Sequence, residues 1–284
     1  MILLQVITSV SSMVGQNCIQ NRACKKDLPT SSHVYRFNAV AYLVCIVAFA
    51  FVAIRGGISL YTVLGGVLFG VVTALTNYFK MLALSSGPMH ITLLVTNASM
   101  LIPTVSGVFF GERFSLLQLG VVFLLLFFIY LSLGRGSSCV TTDRRWLLWC
   151  VATFLFQGSI GVLQKLHQSS SHKGEIGSFL LIAFICSLIY SLLRSKGSMR
   201  ELNFTKRLVF FALLSGACTF TMNYLNLKLS GLLPSRLFFP IVNGSSIVIC
   251  SILSVVLFRE RLTGKQMVGL AGGIASLVLI CLLK

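Results

Sequence analysis

Residues 56–79 read Gly56-Gly57-Ile58-Ser59-Leu60-Tyr61-Thr62-Val63-Leu64-Gly65-Gly66-Val67-Leu68-Phe69-Gly70-Val71-Val72-Thr73-Ala74-Leu75-Thr76-Asn77-Tyr78-Phe79, without one charged side chain. Arg55 and Lys80 bound the run. A helix needs about 20 such residues to cross the hydrocarbon core of a bilayer. The same test applied outward finds charge-free runs at 1–21, 37–54, 81–111, 114–134, 146–164, 176–193, 208–227, 237–258 and 266–283, ten runs in all. They are continuously apolar rather than alternating, which predicts helices and not a transmembrane β-barrel. Ten spans of about 20 residues leave only short loops, so no separate soluble domain fits.

Composition agrees. The 284 residues are 56% hydrophobic and 10% charged, with mean hydropathy +0.92. A soluble domain carries about 25% charged residues. A water-soluble fold and a disordered chain are both excluded, the latter because disorder needs low hydrophobicity. The balance of 23 Lys+Arg against 6 Asp+Glu gives +17. The basic residues lie between apolar runs, so the expected counter-charge is anionic membrane lipid, not nucleic acid. The nine cysteines are scattered without a C-x-x-C pair or clustered histidines. They are expected to pack as small hydrophobes, with no metal site. No removable signal peptide is expected, since Met1–Ser12 lacks a basic start and no small-x-small cleavage site follows.

An internal repeat emerges when the chain is shifted on itself. At a shift of 146, Asn77-Tyr78 falls on Asn223-Tyr224, Pro88 on Pro234, Asn97 on Asn243 and Ser99 on Ser245. At 148, Glu112-Arg113-Phe114-Ser115 falls on Glu260-Arg261-Leu262-Thr263 and Gln118 on Gln266. At 143, Gly15 and Arg22 fall on Gly158 and Lys165. The matches keep their order along the chain, which is the mark of duplication. Each half then holds five spans, and an odd number forces the second half to enter the membrane from the opposite side. The expected fold is all-α and integral to the membrane, with ten transmembrane helices as two inverted five-helix repeats, 1–134 and 144–284. Inverted repeats are common among secondary transporters, with the substrate near the midplane between the halves.

On these residues the chain resembles the drug/metabolite transporter superfamily, specifically its EamA-like branch. The segments that carry the resemblance are Gly111-Glu112-Arg113-Phe114-Ser115-Leu116-Leu117-Gln118 and Arg259-Glu260-Arg261-Leu262-Thr263-Gly264-Lys265-Gln266, after the fourth span of each repeat. Gly120 follows Glu112 by eight residues and Gly269 follows Glu260 by nine, so the fifth span has the less certain register. The resemblance implies a carrier with a central cavity lined mainly by spans 1, 3, 4, 6, 8 and 9. Members carry amino acids, sugars, nucleotide sugars, phosphorylated sugars or drugs.

The polar residues inside the spans narrow the chemistry. Asp27, Glu112, Asp143, Glu175, Glu201 and Glu260 all lie outside the span centres. An antiporter of lipophilic cations usually needs a membrane-buried carboxylate to exchange cation for proton, and none is available. The same lack counts against an intramembrane enzyme needing acid, base or metal ligand, so no catalytic residues and no cofactor are expected. ATP drive is not expected either, because no P-loop Lys is present.

The candidate substrate contacts are Asn17, Asn21 and Arg22 on span 1, Asn77, Tyr78 and Lys80 on span 3, Asn97 and Ser99 on span 4, Gln157 and Lys165 on span 6, Asn223 and Tyr224 on span 8, and Asn243 and Ser245 on span 9. Asn17 and Asn21 share a face by i, i+4 spacing. Each amide serves equally well as interhelical glue, and Tyr78 and Tyr224 suit aromatic packing. Arg22 and Lys165 either snorkel to headgroups or form, from opposite halves, a positive funnel for an anion. Pro103 and Pro240 permit kinks. Gly66-x-x-x-Gly70, Gly107-x-x-x-Gly111 and Gly269-x-x-x-Gly273 permit close packing, the last leaving room for a homodimer.

Loop charges leave orientation open. With the N-terminus inside, seven Lys and Arg are cytoplasmic and sixteen are not. Positive-inside bias then favours both termini outside, whereas the resemblance implies both inside. The expected function is a secondary carrier of a small polar or anionic metabolite at the cell membrane. The alternatives are efflux of drugs or amphipathic compounds and, from another class, a polytopic membrane enzyme or structural protein.

Overall fold

Inside a bilayer every backbone amide must find its partner within the protein, and the apolar runs meet this as helices. A computed structural model describes residues 1–26, 28, 31–54, 56–111, 116–132, 144–195, 206–258 and 263–282. Its helices are α1 (Ile2–Lys26), α2 (Ser31–Ala53), α3 (Leu60–Ser86), α4 (Met89–Asn97), α5 (Leu101–Ser106), α6 (Leu116–Ser132), α7 (Arg144–Gln168), α8 (Ile176–Arg194), α9 (Lys206–Leu232), α10 (Ser235–Phe258) and α11 (Gly264–Leu282). Among the described residues there is no strand. The Glu112-Arg113 and Glu260-Arg261 pairs lie outside the described residues.

Among the described residues, eight segments are long and apolar enough to cross a membrane. The helix α6 has 17 residues, and α11 offers the shorter apolar segment Met267–Ser276. The fourth run is one crossing, Ile91–Phe110, but not one helix. It runs through α4, a 3₁₀ turn at Ala98–Met100, α5, and a second 3₁₀ turn at Gly107–Phe110. Pro103 lies in α5, four residues beyond Ser99, so its ring nitrogen has no proton to bond the Ser99 carbonyl. Gly111, at φ +77°, ends the segment in the left-handed conformation that glycine adopts without strain. In the other half Pro240 is accommodated inside a continuous α10.

The helices pack in pairs drawn from the two halves of the chain. α2 lies on α8 and α6 on α11; α3 packs on α7 and α8, as α9 packs on α1 and α2. The α3–α7 pair is antiparallel: Tyr61 hydroxyl lies 3.4 Å from Leu166 carbonyl oxygen, and the Phe79 and Phe156 rings stack at 5.9 Å. The α1–α9 pair is antiparallel too, with Ser9 donating to Asn226 and Gln16 to Thr219. Glycines set the closest approaches. Gly70 meets α8 at Ala183 and Cys186, and its carbonyl accepts from Ser187 Oγ at 2.7 Å. Gly216 meets α2 at Ala41 and Val44, and its carbonyl accepts from Cys45 Sγ at 3.4 Å. On α11, Gly272 packs against Phe128 of α6 within the chain, and a Cβ on Gly273 would lie 4.0 Å from Leu125.

At one end of the bundle a loop joins the halves. Glu175 Oε2 accepts from the Ser59 amide at 3.0 Å and the Ser59 hydroxyl at 2.8 Å, at the start of α3. His172 Nδ1 lies 3.3 Å from Glu175 Oε1. Hydrogen bonds from Thr62 and from Ser59 lower the Glu175 pKa from 4.5 to about 2.

Candidate functional site: a central polar cavity

Three helices present the same stripe to the centre of the bundle. Positions i, i+3, i+4 and i+7 share one helix face. On α3 they are Thr73, Thr76, Asn77 and Lys80; on α7, Gln157, Ile160, Gly161 and Gln164; on α9, Thr219, Met222, Asn223 and Asn226. Together with Met13, Gln16 and Asn17 of α1, the break between α4 and α5, and Phe238, Phe239, Val242 and Asn243 of α10, they line a central cavity of about 90 Å³. The lining comes from α1, α3, the α4–α5 segment, α7, α9 and α10, and α2, α6, α8 and α11 stand outside it.

Most of the polar atoms are already tied into the bundle. Gln16 Nε2 donates to Thr219 Oγ1 at 2.6 Å, and Thr219 Oγ1 donates to the Ser215 carbonyl. Asn77 Nδ2 donates to Tyr42 hydroxyl at 3.1 Å. Gln157 Nε2 donates to Asn97 Oδ1 at 3.1 Å, linking α7 to the helix break. Asn223 and Asn243 bond carbonyls one turn back, those of Thr219 and Phe239. Lys80 Nζ donates to Asn17 Oδ1 at 3.2 Å, and Asn17 Nδ2 reaches Cys250 Sγ at 3.8 Å. Among the described lining residues, two buried donors have no partner, Thr73 Oγ1 and Asn97 Nδ2.

Eight of the fourteen sequence candidates line the cavity: Asn17, Asn77, Lys80, Asn97, Ser99, Gln157, Asn223 and Asn243. Six stand elsewhere. Asn21, one turn beyond Asn17, is fully buried with neither amide atom partnered. Arg22 is exposed, its guanidinium 5.9 Å from the Phe211 ring. Tyr78 stacks on Tyr35 at 4.3 Å, and Tyr224 on Phe220 at 6.3 Å. Lys165 Nζ donates to the carbonyls of Ser230 at 3.2 Å and Leu233 at 3.5 Å, at the C-terminal end of α9. Ser245 is half-buried on α10, two residues past Asn243 and off the lining. Arg22 and Lys165 therefore do not meet at this cavity.

Sequence reading passed over Thr73, Thr76 and Thr219 because a threonine inside a span is unremarkable by itself. Their spacing to Asn77, Lys80 and Asn223 was the available signal. Gln16, Gln164 and Asn226 were visible as embedded amides. The apolar lining of Met13, Met100, Met222, Phe238 and Phe239 had no signal, since such residues fill every span.

Residues 144–282 match the model of the EamA-like transporter family. The match covers the second half of the chain and supports membership of the drug/metabolite transporter superfamily. The chain is a multi-pass membrane protein, and the family is one of membrane transporters of small compounds, not of enzymes. No protein of curated function matches the sequence. A crystal structure described only as that of a protein superposes with a TM-score of 0.71 at 14% identity, over 99% of this chain and 96% of that one. At that identity the likeness speaks for the fold alone.

Proposed function

We propose that the chain is a secondary carrier moving a small polar or anionic metabolite by alternating access, through ten transmembrane helices arranged as two inverted five-helix repeats, 1–134 and 144–284. The observation that carries the substrate class is the cavity lining: one ammonium, from Lys80, amid amides and hydroxyls, with no carboxylate among the described lining residues. A cation held inside a membrane protein without an acid favours an anionic partner. Asn17, Asn77, Asn97, Ser99, Gln157, Asn223 and Asn243 supply neutral hydrogen bonds around it.

The inverted-repeat reading is supported by the exchange of packing partners. Swapping the halves turns α3 on α7 and α8 into α9 on α1 and α2, and leaves α2 on α8 and α6 on α11 unchanged. The contact of Ser187 with Gly70 becomes that of Cys45 with Gly216, and Gly70 and Gly216 are 146 residues apart. In carriers of such two-fold design, alternating access is largely the rocking of one repeat against the other around a fixed site.

Counterflow in proteoliposomes tests the carrier. Accumulation of a labelled compound driven by unlabelled internal compound requires carriage, and its absence across amino acids, sugars, nucleotides and organic anions sinks the reading. Efflux of amphipathic compounds is the second reading, favoured by Phe238, Phe239 and three methionines in the lining. Thermal stabilisation by cationic dyes alone in a ligand screen selects it.

A further inference from the structure

The cavity is chemically lopsided. Lys80 is the one ionisable side chain among the described lining residues. Its place in the other half, 146 residues on, is taken by neutral Asn226. Asn17 ties Lys80 to Cys250 of α10. Phe239, also on α10, lies eleven residues before Cys250, about 16 Å along the helix. There the Phe238 and Phe239 rings stand 4.8 Å apart. Phe239 and Pro103 crowd the bare Cα of Gly161, with ring atoms within about 3 Å of where a Cβ would sit. The cation thus occupies one end of the space, and an aromatic wall without charge occupies the other.

Resting on the transport reading, we infer that the substrate is a singly charged organic anion with an apolar, ring-bearing body. Its charge sits at Lys80 beside Asn17 and its body against Phe238, Phe239 and Pro103. One ammonium balances one negative charge. A dianion would leave a second charge unpaired in a site of low dielectric, which is costly. A zwitterion or cation would bring a positive group to a lining that offers it no carboxylate. A small anion without a body would leave the aromatic end unfilled.

The test uses wild-type protein in proteoliposomes and a series built on one body. Labelled phenylpropanesulfonate, a permanent monoanion, is followed by counterflow. The competitors are its sulfonamide, its phosphonate above the second ionisation, the phenylpropyl trimethylammonium cation, and methanesulfonate. The sulfonate should accumulate, and each competitor should be at least about tenfold weaker than unlabelled sulfonate. Lys80→Gln should erase the preference for sulfonate over sulfonamide, Lys80→Arg should keep it, and Phe239→Ala should weaken the phenyl compound without affecting methanesulfonate. Equal or better competition by the phosphonate, the cation or the sulfonamide overturns the inference while leaving the carrier intact. So does accumulation of some other compound class but not of the sulfonate. If no compound of any class accumulates, the transport reading itself falls.

Discussion

Replacing Gly70 with alanine sets two effects of known size against each other. Within a helix, alanine is favoured over glycine by about 1 kcal/mol, so propensity alone makes Gly70→Ala stabilising. Packing says the reverse. A Cβ on Gly70 would fall inside contact with the Ala183 carbonyl oxygen, and 2.9 Å from both the Ala183 carbonyl carbon and Cys186 Cβ. Carbon atoms rest about 3.5–4.0 Å apart, so α3 and α8 must separate by more than half an ångström at this level. Overpacking of this kind costs about 1–3 kcal/mol. The separation also stretches the 2.7 Å bond from Ser187 Oγ to the Gly70 carbonyl, and such bonds in membrane bundles are worth about 0.6 kcal/mol. The packing terms exceed the propensity term, and the net loss is about 1–2 kcal/mol. Thermal unfolding of purified protein in one detergent, followed by fluorescence-detected size exclusion, reads this directly. Gly120→Ala on α6 is the control, since a Cβ there meets nothing within 4 Å; it should be neutral or slightly stabilising. A Gly70→Ala protein as stable as Gly120→Ala would refute the close α3–α8 approach.

Three further outcomes are expected. The low Glu175 pKa, set by Thr62 and Ser59, means that its stabilising contribution is complete above its ordinary value of 4.5 and is lost as pH falls toward about 2. Melting curves of Glu175→Gln should therefore show a smaller drop than wild type across that acid window, and parallel drops would discount the clamp. Lys165→Met should lower thermal stability, because the carbonyls of Ser230 and Leu233 lose a donor. It should leave charge selectivity in counterflow unchanged, and a lost preference for anions would return Lys165 to the substrate path. A double-mutant cycle on Gln16→Ala and Thr219→Val should return a coupling of about 0.6 kcal/mol for their 2.6 Å bond; zero coupling would deny that α1 and α9 meet there.

The membrane-spanning character and the helical class were legible from composition, because a charge-free run of about 20 residues has one stable solution in hydrocarbon. The proposed repeat rests on order along the chain, where shifts of 143–148 align residues whatever their contacts. What stayed hidden was direction around each helix. Asn97 and Asn243 were found as embedded amides, and both face the cavity. Asn21, equally embedded, does not, because a one-turn step along α1 carries it beyond the space that Asn17 lines.

The cations show the division most clearly. Sequence made Arg22, Lys80 and Lys165 equivalent, each a basic residue near the end of an apolar run. Tertiary structure separates them. Lys80 follows Thr73, Thr76 and Asn77 on a stripe of α3 that lines the cavity, and its ammonium reaches Asn17 of α1. The Lys165 ammonium reaches instead the open carbonyls at the end of α9, and Arg22 projects outward beside Phe211. A one-dimensional pattern records that a charge is near a membrane; where it points depends on which helix lies across from it. That partner lies some 60 to 200 residues away in sequence, within the same half for Lys80 and Lys165 and in the other half for Arg22, beyond the reach of any local pattern.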